Sequence, residues 1–366
     1  MATPSTSANL GAAFAPMSAR RVLIFGGIAL IVGGMLFGDL FAVFVLHQNG
    51  GQTGEALLAA SRAVAMGNPL AVKESFAQIG GLLEDHGTKV DTHVHMTDAG
   101  YLALLLALLQ PYVALSTKSK RQLAWLFVAG GVLLPTGIFL IHYVGLAYSF
   151  SSVIGWASVL ADSAGTLLIL VLIVEAWGLW KYLREKVPVC EPELPPDRSW
   201  ERRVLLSGGS LLILLGFLHG AWYAAVDLYE HEARETRILN SILDSATDGQ
   251  GGSTMAVADY GSLAAERAVK IAAHSHLIEF GLLAILLSFV QSYVYLADAW
   301  KRRWVIVLLA GSLLLPVFVL LELKMGLLAG GMADLGGLMV IAALMAMLVG
   351  VLRQTGSLDA TNGVRP

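Results

Sequence analysis

Cysteine is nearly absent from this sequence, and charged residues are scarce. Cys190 is the only cysteine among 366 residues, so the chain can form no internal disulfide, no CxxC pair and no c-type haem attachment motif. Charged residues make up 14% of the chain, whereas soluble domains carry about 25%. The net charge of −3 gives no basic excess for binding nucleic acid. We therefore expect neither a disulfide-stabilised domain nor a soluble one, and no nucleic-acid partner.

Long apolar runs take the place of charge. Hydrophobic residues make up 56% of the chain, and several runs reach the roughly 20 residues needed to cross a bilayer. Such runs are expected to be helices, because a helix satisfies its backbone hydrogen bonds within one segment. The sequence therefore predicts an all-α integral membrane protein in a lipid bilayer. The eight predicted transmembrane helices are 22–46, 95–116, 123–147, 155–180, 204–228, 276–297, 304–328 and 335–352.

Basic residues indicate the orientation of these helices. They cluster at flanks that all fall on one side of eight crossings, and such flanks face the cytoplasm. We predict a multi-pass protein of the bacterial cytoplasmic (inner) membrane with both termini on the cytoplasmic side. The flanking residues are Arg20, Arg21, Lys118, Lys120, Arg121, Lys181, Arg184, Lys186, Arg198, Arg202, Arg203, Lys301, Arg302 and Arg303.

The segments between the predicted helices follow from this orientation. Residues 1–19 are small and polar, which predicts a disordered cytoplasmic N-terminus. The proline-containing segment 185–201 is the predicted cytoplasmic linker, and 354–366 is the cytoplasmic tail. The outer loops 47–91 and 230–271 are long enough for small helical caps, because apolar residues recur in them at helical spacing.

The sequence contains an internal repeat of a predicted four-helix unit, over 20–184 and 202–353. An even number of helices gives both units the same orientation in the membrane. We therefore expect the repeats to be related by a pseudo-two-fold axis along the membrane normal. The aligned stretches are RRVLIFGGIALIVGGMLFG (20–38) with RRVLLSGGSLLILLGFLHG (202–220), GYLALLLALLQPYVAL (100–115) with GLLAILLSFVQSYVYL (281–296), and ADSAG (161–165) with ADLGG (333–337).

A polar motif stands at the predicted start of the second helix of each unit. THVHMTDAG (92–100) and AHSHLIEFG (273–281) each carry two histidines, and a carboxylate three residues after the second one. This spacing puts histidine and carboxylate on one helix face, where the carboxylate can bind the same metal or orient the imidazole. At a helix start both histidines of a motif can converge, and the two motifs could meet across the axis. The predicted ligands are His93, His95, His274 and His276, with Asp98 and Glu279 as ligands or supporting groups.

Four more ionisable residues lie in the predicted helices and are additional site candidates. They are His142, His219, Glu322 and Asp39. Ionisable groups in membrane segments are costly and usually mark a site or a pathway. The alternative interpretation is structural: histidines at an interface can simply face water, and acids near a helix N-terminus interact favourably with the helix dipole.

The histidine pair, followed by a small residue and a leucine-rich run, resembles haem- and copper-binding bacterial membrane proteins. The likeness is to the haem-copper-oxidase-like and NnrS-like groups, and it covers 93–100 and 274–281. The resemblance implies haem or metal binding at the outer face. The sequence departs from a full oxidase, since no HH pair accompanies these motifs on a later helix, and this puts oxygen reduction in doubt.

The leading hypothesis is a membrane-embedded redox or metal-binding protein with a haem b or copper/iron site near the extracytoplasmic face. Imidazole suits haem iron, copper and zinc alike, so the ligand type does not choose the metal. Such a protein could exchange electrons with quinol, or serve with other membrane subunits in a respiratory or electron-transfer complex. Two alternatives stay open: a transporter or channel built from parallel repeats, and a non-catalytic anchor or assembly subunit.

Overall fold

The computed structural model describes residues 17–42, 47–144, 156–185, 199–247 and 254–353, and these residues form helices joined by short connections. Cys190, the predicted tail 354–366, most of the predicted linker and most of the predicted disordered N-terminus lie outside the described residues. The helices are α1 (Ala19–Phe41), α2 (His47–Ala65), α3 (Pro69–Leu109), α4 (Thr117–Val144), α5 (Trp156–Glu185), α6 (Trp200–Trp222), α7 (Leu228–Thr247), α8 (Thr254–Val290), α9 (Asp298–Met325) and α10 (Leu327–Arg353).

Seven of these helices are long and apolar enough to cross a membrane: α1, α4, α5, α6, α8, α9 and α10. The prediction of a helical, multi-pass membrane protein is therefore confirmed at this level. The remaining predicted span, 95–116, falls on α3, which is not among the seven. Because α3 ends at Leu109, a stretch of roughly 20 residues ending there includes His93, His95 and Asp98. These three polar residues lower its mean hydropathy.

Helix starts and ends follow from local chemistry. Ser18 and Ser199 cap α1 and α6, since each hydroxyl accepts a hydrogen bond from the backbone N–H three residues later, at 3.3 Å. The apolar runs begin only after the basic residues that follow these caps, so the predicted spans start three or four residues late. Helix α9 ends before Gly326. The φ of this residue is 58°, a value that residues other than glycine rarely adopt.

The segments predicted as outer loops are largely helical. They contain α2, α7 and the first parts of α3 and α8. With 41 residues, α3 is about 60 Å long at 1.5 Å per residue, which is about twice the thickness of the hydrocarbon core. The first parts of α3 and α8 are therefore longer than one crossing needs, and we call them the projecting parts. There Ile242, Ala256 and Val257 form a small core with Leu57 and Leu58 of α2.

The helices pack in two groups, α1 to α5 and α6 to α10. In the first group α1 packs on α3 and α4, α3 packs on α4, and α4 packs on α5. In the second group α6 packs on α8 and α9, α8 packs on α9, and α9 packs on α10. Across the groups, α1 packs on α10 and α3 contacts α8, while α2 contacts α7 and α8. The main hydrophobic core runs through both groups.

Two helix crossings bring backbones into direct contact. A Cβ at Gly27 would lie 2.9 Å from the carbonyl oxygen of Gly100, and a Cβ at Gly209 would lie 2.6 Å from that of Gly281. Only glycine permits so close an approach of α1 to α3 and of α6 to α8. These crossings set how closely α1 and α6 lie against His93 and His274, which come seven residues before Gly100 and Gly281.

The two ends of the bundle differ in polar content. We call the end that carries His93 and His274 the histidine end, and the end that carries Lys120 and Lys301 the basic end. At the basic end, Nζ of Lys120 donates to the carbonyl oxygen of Gln110 at 2.7 Å, and Nζ of Lys301 donates to that of Gln291 at 3.3 Å. Each lysine thereby covers a carbonyl near the break that follows α3 or α8.

Candidate functional site at the histidine end

Both histidine motifs lie inside continuous helices and not at helix starts. Since α3 begins at Pro69 and α8 at Thr254, about six turns of helix precede each motif. The expectation that a helix start lets both histidines of one motif converge is therefore wrong. Residues two apart in a helix project in directions about 200° apart. His93 and His95 accordingly face different neighbours, and so do His274 and His276.

His93 is held against α1. Its Nδ1 donates to the carbonyl oxygen of Gly34 at 2.7 Å. The ring lies over Gly38, where a Cβ would come 2.5 Å from Nδ1. A carbonyl oxygen can only accept, so the neutral ring carries its proton on Nδ1, and Nε2 keeps its lone pair. An imidazole fixed in this way has the tautomer of a metal-ligating histidine that bonds through Nε2.

His274 is held against α6 by the same kind of contacts. Its Nδ1 donates to the carbonyl oxygen of Gly216 at 2.8 Å. A Cβ at Gly220 would overlap Cε1 of the ring and lie 2.7 Å from Nδ1. The neutral ring again carries its proton on Nδ1 and leaves Nε2 as an acceptor. One histidine of each motif is therefore fixed in tautomer by a glycine carbonyl and in position by a second glycine one turn further along.

The second histidines are placed differently. His95 is exposed, and its Nδ1 donates to the carbonyl oxygen of Asp91 in its own helix at 2.8 Å. In His276, Nδ1 lies 3.7 Å from Oε2 of Glu279, and the ring stacks on Phe280 with 5.7 Å between centroids. The predicted pairing of histidine with the carboxylate three residues later is thus realised in α8.

The two motifs lie close enough for some of their side chains to interact electrostatically. His93 of α3 interacts electrostatically with Asp98 on its own helix and with His276 and Glu279 of α8. Asp98 in turn interacts with Glu279 and His95. The predicted meeting of the two motifs at one site stays a prediction; the residues that interact between the motifs are His93, Asp98, His276 and Glu279. We call these four residues the central cluster.

Asp39 of α1 lies near the central cluster, and Asp334 of α10 lies near Asp39. Asp39 interacts electrostatically with His276 and with Asp334 of α10. Its carboxylate lies against Gly337, where a Cβ would come 3.3 Å from Oδ1, and its Oδ2 is buried without a hydrogen bond. The sequence interpretation included Asp39 and missed Asp334. The available signal was an acid inside the apolar ADLGG stretch.

Of the other candidates, His219 and Glu322 contact different parts of the structure. Nε2 of His219 bonds to the carbonyl oxygen of Lys270 at 3.2 Å, on the projecting part of α8. Glu322 lies against α10, with Oε1 3.2 Å from the place of a Cβ on Gly330. His142 belongs to α4, and its side chain lies outside the described part of the chain. His219 and Glu322 thus border other elements at the histidine end.

Among the described residues, no metal centre with several protein ligands is assembled. Within the described ranges, no group of three or more histidine, cysteine, aspartate or glutamate side chains is placed to hold a metal ion. The expectation that the four histidines with Asp98 and Glu279 form a copper or iron centre therefore lacks support. A haem iron asks less of the protein, because the porphyrin supplies four of its ligands and the chain only the axial ones. His93 and His274 each present the Nδ1-protonated ring that an axial ligand bonding through Nε2 needs.

Four glycines belong to the site and were not assigned to it from the sequence. Gly34 and Gly38 receive His93, and Gly216 and Gly220 receive His274. We call each pair a glycine cradle. The usable signal was a G-x-x-x-G spacing in the same repeat unit as a histidine motif.

Comparison of the chain with protein-family models, with curated proteins and with solved structures gives no match. The likeness to haem- and copper-binding membrane proteins consequently stays a likeness of two short motifs. What the chain does has to be argued from the geometry at the histidine end.

Proposed function

We propose that the protein is a membrane-embedded redox protein that binds haem b near the histidine end, with His93 and His274 as axial ligands. One observation carries this proposal: both rings donate from Nδ1 to a glycine carbonyl and keep Nε2 available. A haem iron bound there would accept and release single electrons. A copper or iron ion without porphyrin is the less favoured form, because the described residues assemble no three-ligand group.

The residues around the two histidines have roles that suit a bound cation. Donation from Nδ1 to a carbonyl raises the basicity of Nε2 and fixes the ring orientation. Asp98 and Glu279 place negative charge beside His93, which would help to balance charge on the iron. The glycine cradles would keep both rings from rotating away. These contacts supply binding and orientation, while electrons would pass to quinol or to other membrane subunits.

We further propose the architecture that the repeat implies: eight membrane crossings, arranged as two four-helix units related by a pseudo-two-fold axis. Matched contacts support this. Besides the two cradles, the N–H of Ala114 donates to the carbonyl of Gly178 at 3.0 Å, and the N–H of Tyr295 donates to that of Gly350 at 3.0 Å. On this proposal α3 crosses the membrane like α8, with its polar motif at the interface.

The orientation is proposed from the basic residues. The basic end faces the cytoplasm of a bacterial inner membrane, so the histidine end is extracytoplasmic and both termini are cytoplasmic. We expect Cys190 to react with a thiol reagent in inverted vesicles and not in intact spheroplasts treated with an impermeant reagent. Labelling in intact spheroplasts would contradict the orientation and leave the haem proposal standing.

A transporter or channel is the second candidate function. It is favoured by the acidic residues beside the central cluster, since Oδ2 of Asp39 is buried without a hydrogen bond next to Asp334 and His276. Ionisable groups that face a bundle interior often mark an ion pathway. Uptake of a substrate or cation by liposomes containing haem-free protein would favour this candidate.

The deciding experiment is an absorption spectrum of the protein purified in mild detergent, combined with haem and metal analysis. We expect about one haem b per chain, because one chain supplies both axial ligands. The spectrum should be that of a low-spin iron with two imidazole ligands. Protein from haem-supplemented cells should be used, so that supply is not limiting. A preparation that is folded by size-exclusion chromatography but holds neither haem nor stoichiometric metal would rule out the proposal.

A further inference from the structure

We propose that Glu175 of α5 is a proton-binding site, which takes up and releases a proton at the basic end of the first group of helices. Two further side chains belong to the site: Gln110, in the break after α3, and Lys120, near the start of α4. The site is independent of haem binding, since it contains none of the residues at the histidine end.

The three side chains of the site are buried. Gln110 is 0% exposed, and Lys120 and Glu175 are each 4% exposed. Glu175 lies nine residues before Arg184, within the part of α5 that is long and apolar enough to cross a membrane. Ionisable groups in such segments are costly and often belong to a site or a proton relay. The buried carboxyl group therefore needs an explanation.

The second group of helices forms the same break without a carboxyl group. The repeat aligns Gln110 with Gln291 and Glu175 with Met347. Nε2 of Gln291 donates to the carbonyl oxygen of Leu287 at 3.2 Å and lies 3.8 Å from Sδ of Met347. A break of this shape thus does not require an acid on the neighbouring helix. Glu175 is a property of the first group alone.

The ionised form of Glu175 has partners inside the protein. Nε2 of Gln110 donates to both carboxylate oxygens at 3.1 Å. Lys120 interacts electrostatically with Glu175, and its Nζ donates to the backbone carbonyl oxygen of Gln110 at 2.7 Å. A positive charge and an amide thus stabilise the negative charge of the carboxylate.

The other charged and titratable groups around Glu175 have different neighbours. Helix α5 packs on α4 and on the break after α3. On α4, Lys118 and Arg121 are not buried, and in the break Tyr112 contacts the ring of Tyr182. On α5 itself, two basic groups lie over indole rings: Lys181 over Trp177 and Arg184 over Trp180. Among the described groups, Lys120 is therefore the charged neighbour that acts on Glu175.

The protonated form of Glu175 has a partner too. Oε1 of Gln110 is buried and accepts no hydrogen bond. A carboxylate has no hydrogen to donate, whereas a protonated carboxyl group is both a donor and an acceptor. After protonation, the O–H of Glu175 can donate to Oε1 while Nε2 donates to the other carboxyl oxygen. Each protonation state thus uses groups that are already in place, which is what reversible proton binding requires.

The proton comes from water at the basic end. Thr117 at the start of α4 is exposed, and the buried Lys120 follows three residues later. A hydronium ion gives one proton to the carboxylate of Glu175 and leaves as water, and the reverse step restores the carboxylate. In the second group Oε1 of Gln291 is also buried without a hydrogen bond, but Met347 has no hydrogen to donate. We therefore expect one such proton site per chain.

Infrared difference spectroscopy against pH tests the proposal, because protonation replaces the stretches of a carboxylate by the carbonyl stretch of a carboxylic acid. The protein is reconstituted in liposomes, and its glutamates are labelled with carbon-13 at the side-chain carboxyl group to separate them from aspartates. We expect one reversible glutamate conversion in the unchanged protein that is lost in Glu175→Gln. This neutral substitution keeps a donor and an acceptor beside Gln110, and size-exclusion chromatography checks that the variant is folded.

A matched pair of variants connects the conversion with the amide. Gln110→Leu removes both hydrogen-bonding atoms, so the carbonyl stretch of Glu175 should move to higher frequency. Gln291→Leu makes the same change in the second group and should leave that stretch in place. A stretch that is equally unaffected by both variants would overturn the proposal.

Two further results would overturn it. If Glu175 stays ionised at every pH at which the protein is folded, it is a fixed partner of Lys120 and binds no proton. If Glu175 is protonated at every such pH, it exchanges none. Both results are read from the difference between the unchanged protein and Glu175→Gln alone, so they do not depend on the folding of Gln110→Leu. Should Glu175→Gln fail to fold, Glu175→Met takes its place, because it reproduces the pairing of Gln291 with Met347.

Discussion

His93 and His274 each donate from Nδ1 to a glycine carbonyl of a neighbouring helix, at 2.7 and 2.8 Å, whereas His95 and His276 have unlike surroundings. His95 is exposed and bonded to its own helix, while His276 stacks on Phe280 and lies near Asp39. The first histidine of each motif thus has a fixed setting in both halves. The neighbours of the second histidine, His95 or His276, depend on which helices pack beside it.

The difference follows from α1 and α10. Asp39 of α1 interacts electrostatically with His276 and with Asp334 of α10, and α1 packs on α10. At the position in α6 that corresponds to Asp39 the sequence has Ala221, and the α5–α6 side has no comparable helix packing among the described residues. A duplicated sequence therefore does not give a duplicated site. The cradles belong to each half by itself, and the acidic surroundings belong to one side of the interface.

The largest effect is expected from filling a cradle. Gly38→Val should abolish haem binding, because even a Cβ would lie 2.5 Å from Nδ1 of His93 and the ring would have to leave its place. Haem content per purified chain is the measurement. Gly33→Ala is the matched control on the same helix, since a Cβ there meets only the flexible end of Met96 at 3.1 Å. Full haem content in Gly38→Val would show that the cradle is not needed.

The next effect concerns the basic end, where the halves also differ. Nε2 of Gln110 donates to both carboxylate oxygens of Glu175 at 3.1 Å, whereas Nε2 of Gln291 meets Leu287 and Met347. Glu175→Met should lower stability by about 1.5–3 kcal/mol, because it removes hydrogen bonds to a charged group and leaves a buried amide without them. Thermal unfolding in detergent measures this.

Met347→Leu is the control for Glu175→Met, since a volume-conserving change of a buried residue costs less than about 1.5 kcal/mol. Equal melting temperatures for Glu175→Met and the unchanged protein would mean that the hydrogen bonds between Gln110 and Glu175 do not stabilise the fold. The buried Glu175 would then have to be explained by function.

A smaller effect is expected beside the central cluster. Asp98→Asn removes a negative charge next to His93 and should weaken haem affinity by about 10–100-fold without abolishing binding, as is typical for groups that support a ligand. Titration of haem into the apoprotein gives the affinity. Asp91→Asn on the exposed face of α3 is the control. If both variants bind haem like the unchanged protein, Asp98 has no supporting role.

The smallest effect is expected at His95. Its ring is exposed and bonds only to its own helix, so His95→Ala should change the free energy of unfolding by no more than about 0.5 kcal/mol. The haem spectrum should also stay the same. His276→Ala makes the comparison sharper, because it removes a ring stacked on Phe280 and should destabilise the protein more. A reversed order of the two variants would contradict the difference between the second histidines.

The spanning helices could be predicted from the sequence, whereas the start of α3 could not. Apolar length predicts the spanning helices, because each span depends on its own composition. The sequence did not predict that α3 begins as early as Pro69. The projecting part of α3 is amphipathic and contains no long apolar run. That part moves His93 from the start of a helix to its interior. The convergence of His93 with His95 inferred from a helix start fails for this reason.

The site itself depends on tertiary packing. The histidines and carboxylates could be named from the repeated motif, but Gly38 becomes part of the site only because α1 packs on α3. Likewise Asp334 comes near Asp39 only because α10 packs on α1. A sequence states which side chains can bind a cation. It does not state which neighbouring helix fixes their tautomer.

One measurement tests the central claim most directly: the haem content and low-spin spectrum of two double variants, His93→Ala with His274→Ala and His95→Ala with His276→Ala. The first pair removes the two rings that keep Nε2 available, and the second removes the two that lack a cradle. We expect the first variant to be folded and without haem, and the second to keep a low-spin haem spectrum. Haem retained by the first variant and lost from the second would contradict the assignment of the ligands.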